Sequence, residues 1–431
     1  MAQIVDSPAA AAEQIRSADD LGLGLGPAHP PALLHALGER DDWTALEVSG
    51  ALLTDLYALF TKPGVRFRSG FFGPAERFLR DSGGAIEYVP ADFRRFGPIV
   101  ESLAPRVMAT AMSPPDSEGY LSFSLHAGAT IDEFRRCGAD PERVLIVEYS
   151  ENFPRTLGLP PEHTHRMHLD EIDICFESDA APVNLADAPA GDADRTIAEH
   201  ARHFIPDGAT LQTGIGAIPS LIATMLADGP GGGYGVHSEM FTNGLMRLHQ
   251  AGKVTNSNKG EFDGYSITTF AAGTPELYEW LDGGDEVRFL PVDVVNDGRL
   301  IAQNRHFVSI NGAVAVDLYG QVAADTINGK QHSGTGGHED FLSGAGLRLE
   351  DRSLLCMRSE VIHSEGSASR IVGNLAPEMV VTTPRHQVDV VITEHGVAEL
   401  QGLTVRERAE ALIRIADPKH RRELTEAAER L

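Results

Sequence analysis

Two glutamates stand where short apolar runs end. Glu239 lies in GVHSEMFTNG (235–244), after an apolar run opened by glycine and directly before Met240 and Phe241. Glu394 lies in VVITEHGVAEL (390–400), again behind an apolar run and ahead of Gly396. A carboxylate in such a place is costly to desolvate unless it is paired, solvated or used. The C-terminal ends of strands are also where α/β active sites gather. Each could equally be a satisfied structural acid, capping a helix or pairing with a base.

Glycine clusters supply the other chemical signals. In LQTGIGAIPSLIATML, Gly214 and Gly216 close a strand and Pro219 sits in the first turn of an apolar helix. Backbone N–H groups at such a turn approach a phosphate or carboxylate at the positive end of the helix. The same letters approach a GxGxxG dinucleotide fingerprint, with Glu239 near the position of a ribose-binding acid, so an NAD-dependent oxidoreductase is a remote alternative. Pro219 replaces the last glycine of that fingerprint. A second cluster, Gly334, Gly336 and Gly337, ends a loop-rich segment (292–341) and offers donors for a developing oxyanion. His163, His165 and His168 in EHTHRMH lack a carboxylate or thiolate partner at ligand spacing, so an exposed loop or edge strand, and no metal, is expected. No GxSxG elbow, P-loop or HExxH motif occurs.

The elements that must position these residues follow an alternating pattern. LGLGLG (21–26), TALEVSG (44–50), VRFRSG (65–70), VMATAM (107–112) and VLIVEYS (144–150) read as strands, with helices such as 30–40 and 129–138 between them. Buried runs separated by helices predict mostly parallel sheets in an α/β fold. The Ala-, Asp- and Pro-rich stretch 177–194 lacks periodicity and reads as a linker. After it come a helix over 196–205, a strand and turn over 209–216, and a helix over 217–226. Thr404 and Glu407 have the spacing of a capping box.

Composition narrows the function classes. In 431 residues, 36 Lys and Arg face 62 Asp and Glu, a formal net charge of −26, which argues against nucleic acid and anionic membranes as partners. Cys137, Cys175 and Cys356 form no CxxC motif and fit a reducing, cytoplasmic setting. Neither a signal peptide nor a run of about 18 apolar residues is found.

Seven pieces, in order, carry a family resemblance: SPPD (113–116) with Gly119, EYSENFPRTLG (148–158), DGATLQTGIGAIP (207–219), GVHSEMFTNG, SGTGGHEDF (333–341), TEHGVAEL, and LTVRERAEALIRIADPKHR (403–421). Together they resemble the acetyl-CoA hydrolase/transferase family, class I coenzyme A (CoA) transferases acting on acetate, succinate or 4-hydroxybutyrate. The resemblance implies two related α/β domains, 1–186 and 196–431 joined by a linker at 187–195, with the active site in the interdomain cleft. It implies that Glu239 is the catalytic nucleophile, forming an acyl-glutamyl anhydride and then a glutamyl-CoA thioester. Gly214, Ile215, Gly216, Ala217 and Ile218, with Ser333, Gly336 and Gly337, would contact CoA, and Gly337 would also give an oxyanion donor. Pro154 and Arg155 would help to shape the carboxylate pocket. His338 stands where many relatives carry Gln or Ser, and Glu394 is implied to be structural or to support the site from behind, and not to be the nucleophile. The expected partners are acyl-CoA and small carboxylic acids, with CoA as a substrate, no tightly bound cofactor, and a homodimer or homotetramer. Hydrolysis of acetyl-CoA at the same site is the nearer alternative. An ordinary glutamate has a pKa of about 4.3, so a carboxylate ionised at pH 7 is expected to attack without a general base. Its anhydride needs a dry pocket, for which Met240 and Phe241 are wall candidates.

Overall fold

The computed structural model describes residues 2–345, 348, 350–363 and 366–431. It divides into two compact units. One combines the residues up to Ala186 with Ile267–Val295, and the other combines Asp187–Ser266 with Asn296–Leu431.

In the first unit, apolar runs buried on both faces make an eight-stranded parallel sheet. Its spatial order is Gln3–Ile4, Ile174–Glu177, Val144–Tyr149, Val107–Met112, Ala18–Leu25, Ala45–Ala51, Val65–Ser69 and Ala85–Tyr88. All six residues of Val107–Met112 are buried, which is why that strand carries no polar alternation. The glycines of LGLGLG let this neighbour approach: a Cβ on Gly22 would lie 2.3 Å from Met108 Sδ. From Ala18–Leu25 the chain runs outward to Ala85–Tyr88, then returns on the other side with Val107–Met112. That reversal sets the loop after Leu25 beside SPPD, the usual crevice of an open α/β sheet.

Glu148, the fifth residue of Val144–Tyr149, shows how one motif acid is consumed by the fold. Helix Pro31–Gly38 has no capping side chain at its own N-cap. Glu148 supplies one from across the sheet, accepting from the N–H of Ala32 at 3.2 Å and of Leu33 at 3.1 Å, and from the Ser178 hydroxyl at 2.7 Å. The helix thereby seats Leu33, Leu34 and Leu37 in the core with Leu21, Val48 and Phe67. Burying each such side chain contributes roughly 2 kcal/mol.

The second unit repeats the theme. Its strands run Gly235–Phe241, Thr210–Thr213, Phe307–Gly312, Arg352–Cys356 and Val390–Thr393, all parallel, with Gly396–Glu399 added antiparallel at the end. The order reverses between Thr210–Thr213 and Phe307–Gly312, beside the GIG turn. Glu394 therefore occupies a hairpin turn, where Gly396 takes φ +139°. The capping box forms as expected: Glu407 N–H donates to Thr404 Oγ1 at 3.3 Å and Thr404 N–H to Glu407 Oε2 at 2.8 Å.

Three strands of the first sheet went unforeseen in the sequence. Gln3–Ile4 has two residues, Ala85–Tyr88 has four with two exposed, and Ile174–Glu177 is only four residues long. Inside the stretch read as linker, a helix already starts at Asp192. Asp194 holds it, accepting from Gly191 N–H at 2.8 Å and gripping Arg358 at 2.8 and 2.5 Å, a partner 164 residues away. Among the described residues, no helix is long and apolar enough to cross a membrane.

Replacing Glu148 by Leu leaves the Ala32 and Leu33 N–H groups without their acceptor. The expected loss is about 2–3 kcal/mol of unfolding free energy, read as a lower urea midpoint at unchanged slope.

Candidate functional site

The site in the second unit starts from two neighbouring strands. Thr210 pairs with Gly235 and Leu211 with Val236, so the same register carried onward sets Glu239 beside Gly214. Ser238 fixes that end of the strand. Its hydroxyl accepts from Thr213 N–H at 3.3 Å and lies 2.8 Å from Met240 O. Side-chain alternation then sends Glu239 to the opposite face from Ser238.

Two groups from elsewhere in the unit donate to the Glu239 carboxylate, and a second acid stands behind one of them. Asn296 follows the short helix Val292–Val295, and its Nδ2 donates to Glu239 Oε2 at 2.8 Å. The same Nδ2 donates to Asp340 Oδ2 at 3.0 Å, so one amide nitrogen bridges two carboxylates. Gly337 gives a backbone N–H to Glu239. Its lack of a side chain lets the carboxylate and amide sit where they do, since a Cβ there would fall 1.8 Å from Glu239 Oε2 and 2.5 Å from Asn296 Nδ2 and would displace both. Asn296 and Asp340 are both buried.

The electrostatics depart from the sequence expectation. Burial pushes the Glu239 pKa up from its ordinary 4.5 to about 8. The Asn296 bond and the Gly337 N–H oppose that rise, while the Asp340 charge adds to it. The residue retains partial exposure, but its carboxyl is hemmed in by protein atoms. With that pKa only about one carboxyl in ten is ionised at pH 7, in place of the fully ionised acid expected from an isolated glutamate. The minority anion is correspondingly the more basic nucleophile.

The remaining residues singled out in the sequence fall as follows. Gly214 and Gly216 flank Ile215, which is 57% exposed at the tip of the turn. Gly216, at φ +130°, is the N-cap of helix Ala217–Asp228, whose first turn holds Ala217 and Ile218. Gly336 takes φ +55° just before Gly337. Ser333 is engaged within its own loop, donating its N–H to Asp325 O at 3.1 Å and its hydroxyl to Ala324 O at 3.4 Å. His338 opens helix His338–Ala345. The Thr383 hydroxyl donates to Glu339 at 2.5 Å, so it accepts from His338 Nε2 at 2.9 Å, which fixes the tautomer. Burial lowers the His338 pKa to about 4, making it a neutral latch. Met240 and Phe241 are buried.

Glu394 is used up structurally, accepting from Ser359 N–H at 2.9 Å and from its hydroxyl at 2.7 Å. In the first unit, Arg155 is spent on the SPPD loop: its guanidinium donates to Tyr120 O at 3.3 Å and to Pro114 O. Of the EHTHRMH histidines, His165 is buried instead of lying in an exposed loop, with Nε2 donating to Ser124 O at 2.9 Å, while His168 turns to Glu118 O at 3.0 Å. Among the described residues, no group of three or more His, Cys, Asp or Glu side chains is placed to hold a metal ion. Sequence reasoning missed Asn296 and Asp340. Both lay in segments already marked for their glycine density, but only the fold turns them toward Glu239.

Known proteins resemble this chain over most of its length. Residues 273–428 match the model of the acetyl-CoA hydrolase/transferase C-terminal domain. A 4-hydroxybutyrate coenzyme A transferase of Clostridium kluyveri is 36% identical over 92% of this chain and 90% of its own. A succinyl-CoA:cyclohexane-1-carboxylate CoA transferase of Geobacter metallireducens is 32% identical over 100% and 96%. The crystal structure of RipA from Yersinia pestis superposes with a TM-score of 0.89 at 31% identity, covering 99% of this chain and 97% of that one.

The raised pKa of Glu239 has a consequence for stability. A carboxyl that binds its proton more tightly when folded contributes stability below its unfolded pKa near 4.5 and loses it as pH rises through about 8. Glu239→Gln, which cannot ionise, is expected to be more stable than the parent at pH 9 by on the order of 1–3 kcal/mol. The gain should shrink to near zero at pH 5, as followed by urea midpoints.

Proposed function

The chain belongs to the acetyl-CoA hydrolase/transferase family, and on that premise we propose that it moves CoA from a short-chain acyl-CoA to a carboxylate acceptor such as acetate, through a thioester on Glu239. The observation that carries this reading is a desolvated carboxylate at a strand end with two neutral donors beside it: Glu239 Oε2 accepts from Asn296 Nδ2 at 2.8 Å, and the Gly337 N–H donates to the same carboxylate.

In the first step Glu239 Oε1 attacks the thioester carbon of the donor. A C–O bond forms, the C–S bond breaks, and CoA leaves as thiolate. The product is a mixed anhydride in which Oε2 is the glutamyl carbonyl oxygen. The thiolate then attacks the glutamyl carbon and expels the donor's acid as a carboxylate, leaving Glu239 as its CoA thioester. Negative charge collects on Oε2 in that second attack, against the Asn296 donor. One such donor typically lowers a barrier by about 3 kcal/mol. An acceptor carboxylate attacks the thioester to give a second anhydride and free thiolate. That thiolate takes the acceptor's acyl group, and Glu239 is released as a carboxylate. No redox step or metal is needed. The glycine turn Gly214–Ile218 is the segment we assign to CoA, with its N–H groups at the N-terminus of a twelve-residue helix.

Water in place of the acceptor acid would make the same site an acetyl-CoA hydrolase. The nicotinamide reading is set aside: Pro219, where the fingerprint needs its last glycine, lies within the first turn of the helix, and the relatives carry transferase names.

Two outcomes are expected. Incubation with acyl-CoA followed by borohydride should reduce a thioester at Glu239 alone, seen as a modified peptide by mass spectrometry. Label at Glu394 would refute the assignment, and CoA release that ignores added acetate would replace transfer by hydrolysis. Secondly, only the ionised carboxylate attacks. On the acid side kcat/KM should fall about tenfold per pH unit below a limb near 8, unlike the flat profile an ordinary glutamate would give above pH 6.

A further inference from the structure

We propose that Asp340 is a positioning residue that keeps the amide nitrogen of Asn296 turned toward Glu239 Oε2 through the acylated stages of the cycle, and this rests on the transferase reading given above. The nitrogen and oxygen of Asn296 have nearly the same shape, so only their hydrogen-bond partners decide which faces Glu239. Both hydrogens of Nδ2 are committed, one to Glu239 Oε2 at 2.8 Å and the other to Asp340 Oδ2 at 3.0 Å. Oδ1 of Asn296 is buried without a hydrogen-bond partner. The side chain therefore gives up a bond to its own oxygen in order to serve two acids with its nitrogen.

Glu239 cannot enforce that choice by itself. When protonated it has a hydroxyl that an amide oxygen would accept, and as an anhydride or thioester it carries no charge to attract the nitrogen. Asp340 changes covalently at no point in the cycle. It is buried on helix His338–Ala345, three residues beyond Gly337. A flipped Asn296 would set its oxygen 3.0 Å from Asp340 Oδ2, acceptor against acceptor, with neither hydrogen between them. The flip is thereby forbidden at the stage where charge develops on Oε2. One short segment thus furnishes the Gly337 donor and, through Asp340, the orientation of the other.

The arrangement also explains a cost. Asn296 and Gly337 act on the Glu239 charge as neutral donors, and Asp340 acts on it as a charge. Its negative charge opposes ionisation of Glu239, so the residue that aligns the donor also holds the nucleophile's acid limb at higher pH.

The test is Asp340→Asn, which keeps the shape, removes the charge and lets the Asn296 amide settle either way. Above the acid limb, kcat/KM is expected to fall at least ~10-fold because one oxyanion donor is no longer assured. The acid limb itself should move down by about one pH unit as the neighbouring charge disappears. In an Asn296→Ala background the same substitution should cost almost no further rate, because there is no amide left to orient. Asp340→Ser, smaller and also neutral, gives the same readings if the amide disturbs packing. A limb that stays in place, or losses that multiply in the double variant, would overturn the proposal even if activity fell. Borohydride labelling of Glu239 in the parent protein separates the two readings. Without that label the transferase mechanism fails, whereas with it and an unmoved limb only the role of Asp340 fails.

Discussion

Everything at the site depends on holding one carboxylate where water cannot fully reach it. Desolvation of Glu239 raises its pKa to about 8, and two neutral donors return part of that cost. More or stronger donors would stabilise the anion further and blunt it as a nucleophile. Fewer would leave it protonated throughout the physiological range. The Asn296 amide and the Gly337 N–H lie between those limits, and neither carries a charge.

The fold supplies this balance by bringing segments distant in sequence together. Strand Gly235–Phe241 delivers Glu239 beside the GIG turn, the residues behind helix Val292–Val295 deliver Asn296, and the SGTGG segment delivers Gly337 and Asp340. The closest approach ties a residue type to the site geometry. With Oε2 1.8 Å from where a Gly337 Cβ would sit, any side chain there would push the Glu239 carboxylate out of place. Other acids of the same motifs are spent on architecture. Glu148 caps a helix from across a sheet, Glu394 ties a hairpin turn to Ser359, and Asp194 pairs with Arg358. A buried carboxylate with several donors of its own is part of the frame. Glu239 instead shares its strongest donor with another acid.

The sequence by itself determined the α/β class and the parallel strands, because Val-, Ile- and Leu-rich runs between helical segments have few other ways to be buried. It marked Glu239 and the glycine clusters, since a carboxylate at a strand end and glycines at a turn are signals local to a few residues. The short strand Ala85–Tyr88, the helix start at Asp192 and the burial of His165 were decided by contacts distant in sequence. So were Asn296 and Asp340, which approach Glu239 across 57 residues and, through the shared amide, a further 44. The pKa of Glu239 belongs to the same class: it is set by how many atoms exclude water from the carboxyl and where the next charge lies. Neither quantity exists until the strands are assembled, so an isolated glutamate in the sequence reads as an ordinary acid and only the tertiary structure makes it a weak one.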